Sequence, residues 1–251
     1  MKRSRTIAGL VGSVQLLTAS AAFAQGACTA RSGPTITPVI ELYTSEGCSS
    51  CPPADKWLSA LKTDPAVVAL AFHVDYWDRL GWKDRFASPV FTQRQAEQVR
   101  GSGARFAYTP QVLADGRDRP DWPRIASADL SAARSHSTVD ITLVKAGLRV
   151  QATVTPSADA PKRLAAYWAV SEHAHTSAVK AGENNGARLD HDFVVREYRP
   201  VAAWTPAAGA APATLEFTPV SSADPAHPRS INLVVVDADT GRPVQAAKLG
   251  C

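Results

Sequence analysis

Beyond its first two dozen residues, this 251-residue sequence has no apolar run long enough to cross a bilayer. It also lacks a charge excess. Lys2, Arg3 and Arg5 sit in an opening stretch without acids, and past residue 24 the chain has 24 basic against 23 acidic side chains. Such a balance gives no broad basic surface for nucleic acid or an anionic membrane. No internal repeat is visible. Cysteine is scarce, with four in the chain. One CxxC is present, without a second CxxC or an adjacent Cys/His pair to complete a four-ligand zinc site.

The first residues have the layout of a secretory signal peptide. Three bases precede an apolar run from Ile7 to Leu17, and small residues follow to Ala22-Phe23-Ala24. Cleavage after Ala24 is expected, leaving a chain without a membrane span in the periplasm or outside the cell. That compartment permits disulfides. Cys48 and Cys51 lie together, and elimination leaves Cys28 with Cys251, near the two mature ends. A structural Cys28–Cys251 disulfide is the reading, with free thiols or an intermolecular bridge as its rivals.

Along the chain, Val39–Thr44 reads as a buried strand. Ala54, Trp57, Leu58 and Leu61 fall on one helical face, and Pro52 and Pro53 occupy the first turn, where proline is tolerated. Val67–Val74 reads as a second buried strand. Ser88-Pro89 starts a helix that Gly101 is expected to stop. Gln111–Leu113 is a short strand before an Asp115-Gly116 turn, but residues 117–121 lack the alternation of a strand. Beyond His136, alternating apolar residues predict a hairpin over Val139–Val154 and further short strands. The expected architecture is an α/β thioredoxin-like domain followed by an antiparallel β-sandwich-like domain. Its divisions are a signal peptide over 1–24, a first domain over 35–135 with an insertion at about 75–105, and a β-rich domain over 136–251.

The chemistry points to Cys48-Ser49-Ser50-Cys51. Thiolates, not thiols, carry disulfide exchange, and the start of a helix favours negative charge. Cys48, between a strand end and a helix, is the expected nucleophile, and Cys51 is placed to resolve a mixed disulfide. A metal clip or an inert bridge remains the alternative for the same pair. Thr109-Pro110 opens a strand and is open to either isomer. Trp77 and Trp82 lie in a segment that either rims the redox site or packs as an inert insertion. Glu41 and Asp75 are candidate proton acceptors for Cys51. His173 and His175, two apart, form at most a weak metal pair, and the turn at Gly182–Gly186 is a candidate neighbour of the cysteines.

The run from Glu41 through Cys48 and Cys51 to Asp55 resembles the domain of unknown function 1223 family. So do His73-Val74-Asp75-Tyr76-Trp77-Asp78, Leu80-Gly81-Trp82, Phe86-Ala87-Ser88, Tyr108-Thr109-Pro110-Gln111, and Gly182-Glu183-Asn184-Asn185-Gly186 with Val194-Val195-Arg196. The resemblance implies an exported thioredoxin-like protein with Cys48, Cys51 and a cis Pro110 at its active-site positions. It names no substrate. The expected function is thiol–disulfide exchange on protein substrates, with Cys48 and Cys51 catalytic. Thr109, Pro110, Trp77 and Trp82 would contact the substrate. An external redox partner is required, but no cofactor or resident metal. A copper-binding protein using the same cysteines and a non-catalytic binding module are the competing expectations.

Overall fold

The computed structural model describes residues 28–206 and 211–251, so the expected signal peptide lies outside the described residues. The strands are β1 Cys28–Arg31, β2 Val39–Thr44, β3 Val68–His73, β4 Gln111–Ala114, β5 Arg117–Asp118, β6 Val139–Ala146 and β7 Arg149–Pro156. There follow β8 Leu164–Glu172, β9 His175–Ala178, β10 Arg188–His191, β11 Val194–Trp204, β12 Ala213–Phe217, β13 Arg229–Asp237 and β14 Pro243–Leu249. The α-helices are α1 Pro52–Ala60, α2 Pro89–Ser102 and α3 Ser127–Ser131.

Eight strands form one sheet in the order β14-β13-β8-β11-β3-β2-β4-β5. Its parallel pairs are β2 with β3 and β3 with β11. The other neighbours run antiparallel. A four-stranded sheet, β1-β6-β7-β12, covers one face of the later strands. There, Ile141, Leu143, Val150 and Val154 pack on Trp168, Leu233 and Val235. Tyr167, Ala169 and Val234, on the opposite face, join Tyr43, Phe72 and Phe91. The α1 residues Ala54 and Leu58 pack with Ile40, Leu42 and Val112.

This arrangement overturns the expected α/β thioredoxin-like domain followed by a β-sandwich-like domain. Among the described residues strand accounts for 41% and helix for 16%, and strands from both sides of residue 136 share a single sheet. The physical reason lies in β8. Its burial is near-continuous rather than alternating, because both of its faces are covered. A strand of that kind belongs inside a sheet, and its neighbour β11 joins that sheet to β3.

Local chemistry sets the helix limits. Ser88 Oγ accepts from the Val90 amide, and Pro89 occupies the first turn of α2. This helix passes Gly101 and ends at Gly103, whose φ of 87° only glycine adopts readily. Residues 117–118 do form a strand, but a two-residue edge piece.

Candidate functional site

The loop after β2 carries Ser45 to Ser50 into α1, with Cys51 as the N-cap residue. Cys48 and Cys51 are joined in a disulfide. Both are buried, Cys48 at 1% exposure and Cys51 at 0%, although Ser49 and Ser50 between them are exposed. Prolines fill the first two helical positions and carry no N–H. The next two amides, Ala54 and Asp55, both donate to the Cys51 carbonyl at 2.9 and 3.1 Å. The free amides expected at this helix start are therefore absent or already used.

The cysteines are covered from the β9–β10 connection. Asn184 Nδ2 donates to the carbonyls of Glu46 (2.8 Å) and Cys48 (3.0 Å). Glu183 Oε2 accepts from the amide and hydroxyl of Ser49 at 3.0 and 2.8 Å. Those two hydrogen bonds hold the Glu183 carboxyl below its ordinary range. The Gly182–Gly186 turn thus lies on the cysteine segment.

Trp77 and Trp82 flank the same segment. A Cβ on Gly47 would stand 2.9 Å from Trp77 Cβ, so only glycine fits there. Trp77 Nε1 donates to Thr109 Oγ1 at 2.8 Å, and Trp82 Nε1 to Glu46 Oε2 at 2.6 Å. The Thr109–Pro110 bond is cis. Because Tyr43 pairs with Gln111, Pro110 lies at the sheet end from which the cysteine loop leaves. Thr109 and Pro110 are half-exposed.

The two candidate proton acceptors lie apart from this cluster. Glu41 pairs with Arg94 and accepts from Tyr167 Oη. Alternation along β2 points it away from the face where Thr44 meets α1. Asp75 accepts from Thr92 Oγ1 at 2.5 Å on α2. His173 and His175 part company as well: His175 Nε2 meets Glu172 at 3.0 Å, whereas His173 Nδ1 faces Asp192 at 3.5 Å. Burial and the neighbouring His227, Arg196 and Arg85 push His175 down to about 4. Cys28 and Cys251 form the second disulfide.

Sequence reasoning missed a layer of buried ionisable groups behind the cysteines: Glu46, Asp55, His73, Asp84 and His191. Burial raises Asp84, but His73 beside it, at 2.7 Å, and amides from Glu46 and Phe86 outweigh this and hold it at about 2. Burial lowers His73, and the same Asp84 contact raises it above its ordinary value. Burial also raises Asp55, only partly offset by His191 and His73. The available signal was His73 at the carboxyl end of a parallel strand, where open α/β sheets gather ligands.

The family profile described as a protein of unknown function, DUF1223, matches residues 39–236. The chain belongs to the DUF1223 family. Every residue of the cysteine site and of the ionisable layer falls within the matched DUF1223 segment, and Cys28 and Cys251 fall outside it. This DUF1223 fold is similar to a crystal structure of a protein from Agrobacterium tumefaciens. The two are 27% identical, covering 86% of this chain and 95% of that one, with a TM-score of 0.62. HBP35 of Porphyromonas gingivalis has a TM-score of 0.63 over 87% of this chain and 76% of its own, at 14% identity, a likeness of fold alone. No curated protein matches the chain.

Proposed function

We propose that this chain is a thiol–disulfide oxidoreductase acting on protein substrates through Cys48 and Cys51. The observation that carries the reading is the Cys48–Cys51 disulfide at the start of α1, with Trp77 bridging its loop to Thr109. A substrate thiolate attacks Cys48 Sγ, the Cys48–Cys51 bond breaks, and Cys51 leaves as a thiolate. A second substrate thiolate then attacks the mixed disulfide and expels Cys48. The substrate gains one disulfide and the pair gains two electrons, which an external redox partner removes. Run in reverse, the same steps reduce a substrate disulfide.

Thr109, Pro110, Trp77 and Trp82 line the approach and would hold the substrate. Both cysteines are buried and Asn184 holds the Cys48 carbonyl, so exchange requires the Gly182–Gly186 turn to lift. Two disulfides fit a protein of a non-cytoplasmic compartment. Among the described residues, no helix is long and apolar enough to cross a membrane. The leader over residues 1–24 supports export to the periplasm or beyond.

The test is insulin reduction and dithiol-peptide oxidation by wild type against Cys48→Ser. Wild type should exceed the uncatalysed rate and Cys48→Ser should fall to it. Equal rates for the two proteins would remove the enzyme reading.

A further inference from the structure

Three side chains from distant parts of the chain meet under α1: Asp55 from the helix, His73 from the end of β3 and His191 from the end of β10. One donor atom from each lies within 4.8 Å of the others, and all three residues are buried. The rings of His73 and His191 stand edge to face, their centroids 5.0 Å apart.

The hydrogen bonding around them is asymmetric. His73 Nδ1 is engaged by Asp84 at 2.7 Å, and its Nε2 is buried with no hydrogen-bond partner. His191 Nε2 faces Glu46 Oε1 at 3.4 Å and Nδ1 faces Asp55 Oδ1 at 4.0 Å, and neither closes a hydrogen bond. A buried polar atom left unpaired costs about 1–3 kcal/mol. His73 and His191 can each bring one such nitrogen to the point where Asp55 offers an oxygen, and a shared partner there would satisfy both. Each ring nonetheless turns its second nitrogen toward a carboxylate, the arrangement that orients and strengthens metal-ligating histidines.

We propose that Asp55, His73 and His191 bind one divalent transition-metal ion of the zinc class, with Asp84 and Glu46 as the carboxylates that orient the two imidazoles. Two imidazoles and a carboxylate suit such an ion better than a hard cation. Zinc–nitrogen bonds of about 2.0–2.1 Å set tetrahedral donors roughly 3.4 Å apart, so side-chain movements of about an ångström close the set. The ion would offset the charge of the Asp55, Asp84 and Glu46 carboxylates buried there. A pocket of 400 Å³, lined by Pro52, Asp55, Lys56, Leu189 and His191 among others, opens onto two of the three ligands and supplies an entry path. The fourth coordination position is left for water or a small ligand. This site uses neither cysteine and stands independently of the proposed exchange reaction.

The test titrates the chelator-stripped mature protein, disulfides intact, first with Co²⁺ and then with Zn²⁺. Wild type should take up one Co²⁺ per chain, with tetrahedral d–d absorption and no sulfur-to-cobalt charge-transfer band, and Zn²⁺ should displace it. His191→Gln and Asp55→Asn should each weaken binding at least tenfold, and the double variant Cys48→Ser/Cys51→Ser should retain it. No stoichiometric uptake by wild type, unchanged affinity in His191→Gln, or loss of binding in the cysteine variant each overturns the proposal. Should the ligand variants fail to fold, the melting temperature of wild type decides. A rise with Zn²⁺ but not Ca²⁺ supports the site, and no rise with Zn²⁺ overturns it.

Discussion

Pro52 and Pro53 carry no amide hydrogen, and they follow Cys51 directly. A helix start normally offers four unpaired N–H groups. Here two are missing, the Cys51 amide closes on the Cys48 carbonyl and the Ala54 amide closes on the Cys51 carbonyl. Stabilisation of a sulfur anion at this position is left to the helix dipole and to whatever approaches Cys48 from outside. What approaches is Asn184, which donates to the Cys48 carbonyl rather than to sulfur. Its role is therefore to hold the cover down. Each of its two hydrogen bonds is worth about 1 kcal/mol net. Asn184→Ala should thus speed reduction of Cys48–Cys51 by dithiothreitol about thirtyfold, read from the rate of thiol alkylation in native protein. A rate equal to wild type would mean that the turn does not gate the disulfide.

Among the elements, α2 is held to the sheet by polar anchors as much as by apolar packing. Gln95 Nε2 donates to the Tyr108 carbonyl at 2.7 Å and to Gln111 Oε1 at 2.9 Å. Arg94 is buried against Glu41 and lies over the rings of Phe72, Tyr167 and Tyr198. Removing one partner of a buried ion pair strands the other charge and destabilises by about 3–5 kcal/mol. Arg94→Ala should lower the urea midpoint accordingly, with little effect on exchange per folded molecule. A loss smaller than about 1 kcal/mol would show that Glu41 finds a replacement partner. The interior of this helix carries little apolar signal for that reason: two of the residues it buries are Arg94 and Gln95.

For the molecule as a whole, the Cys28–Cys251 disulfide ties β1, at the edge of the smaller sheet, to the residues just after β14, at the edge of the larger one. Lys145 on β6 adds a contact at 2.6 Å to the Cys251 carbonyl. The bond closes a loop of 223 residues in sequence separation, for which chain entropy sets a ceiling of roughly 5 kcal/mol. The double variant Cys28→Ser/Cys251→Ser should lose about 2–5 kcal/mol in denaturant unfolding and keep its exchange activity, because the active pair lies elsewhere. An unchanged midpoint would mean that packing between the sheets already holds the ends together.

Much of this was legible from local pattern. β2, β3 and the β6–β7 hairpin follow from runs and alternations only a few residues long, and prolines 52, 53 and 89 mark where helices begin. Such signals act between near neighbours and so can be read from short stretches of sequence, although the helix stop expected at Gly101 was overridden. Sheet membership does not work that way. Nothing within Leu164–Glu172 or Val194–Trp204 states which edge each strand will join, and that choice put strands from both expected units into one sheet. The same non-local pairing gathers Asp55, His73 and His191, which no spacing rule connects. Strand edges and buried faces are matched between distant segments, so the cluster exists only once the chain has closed on itself.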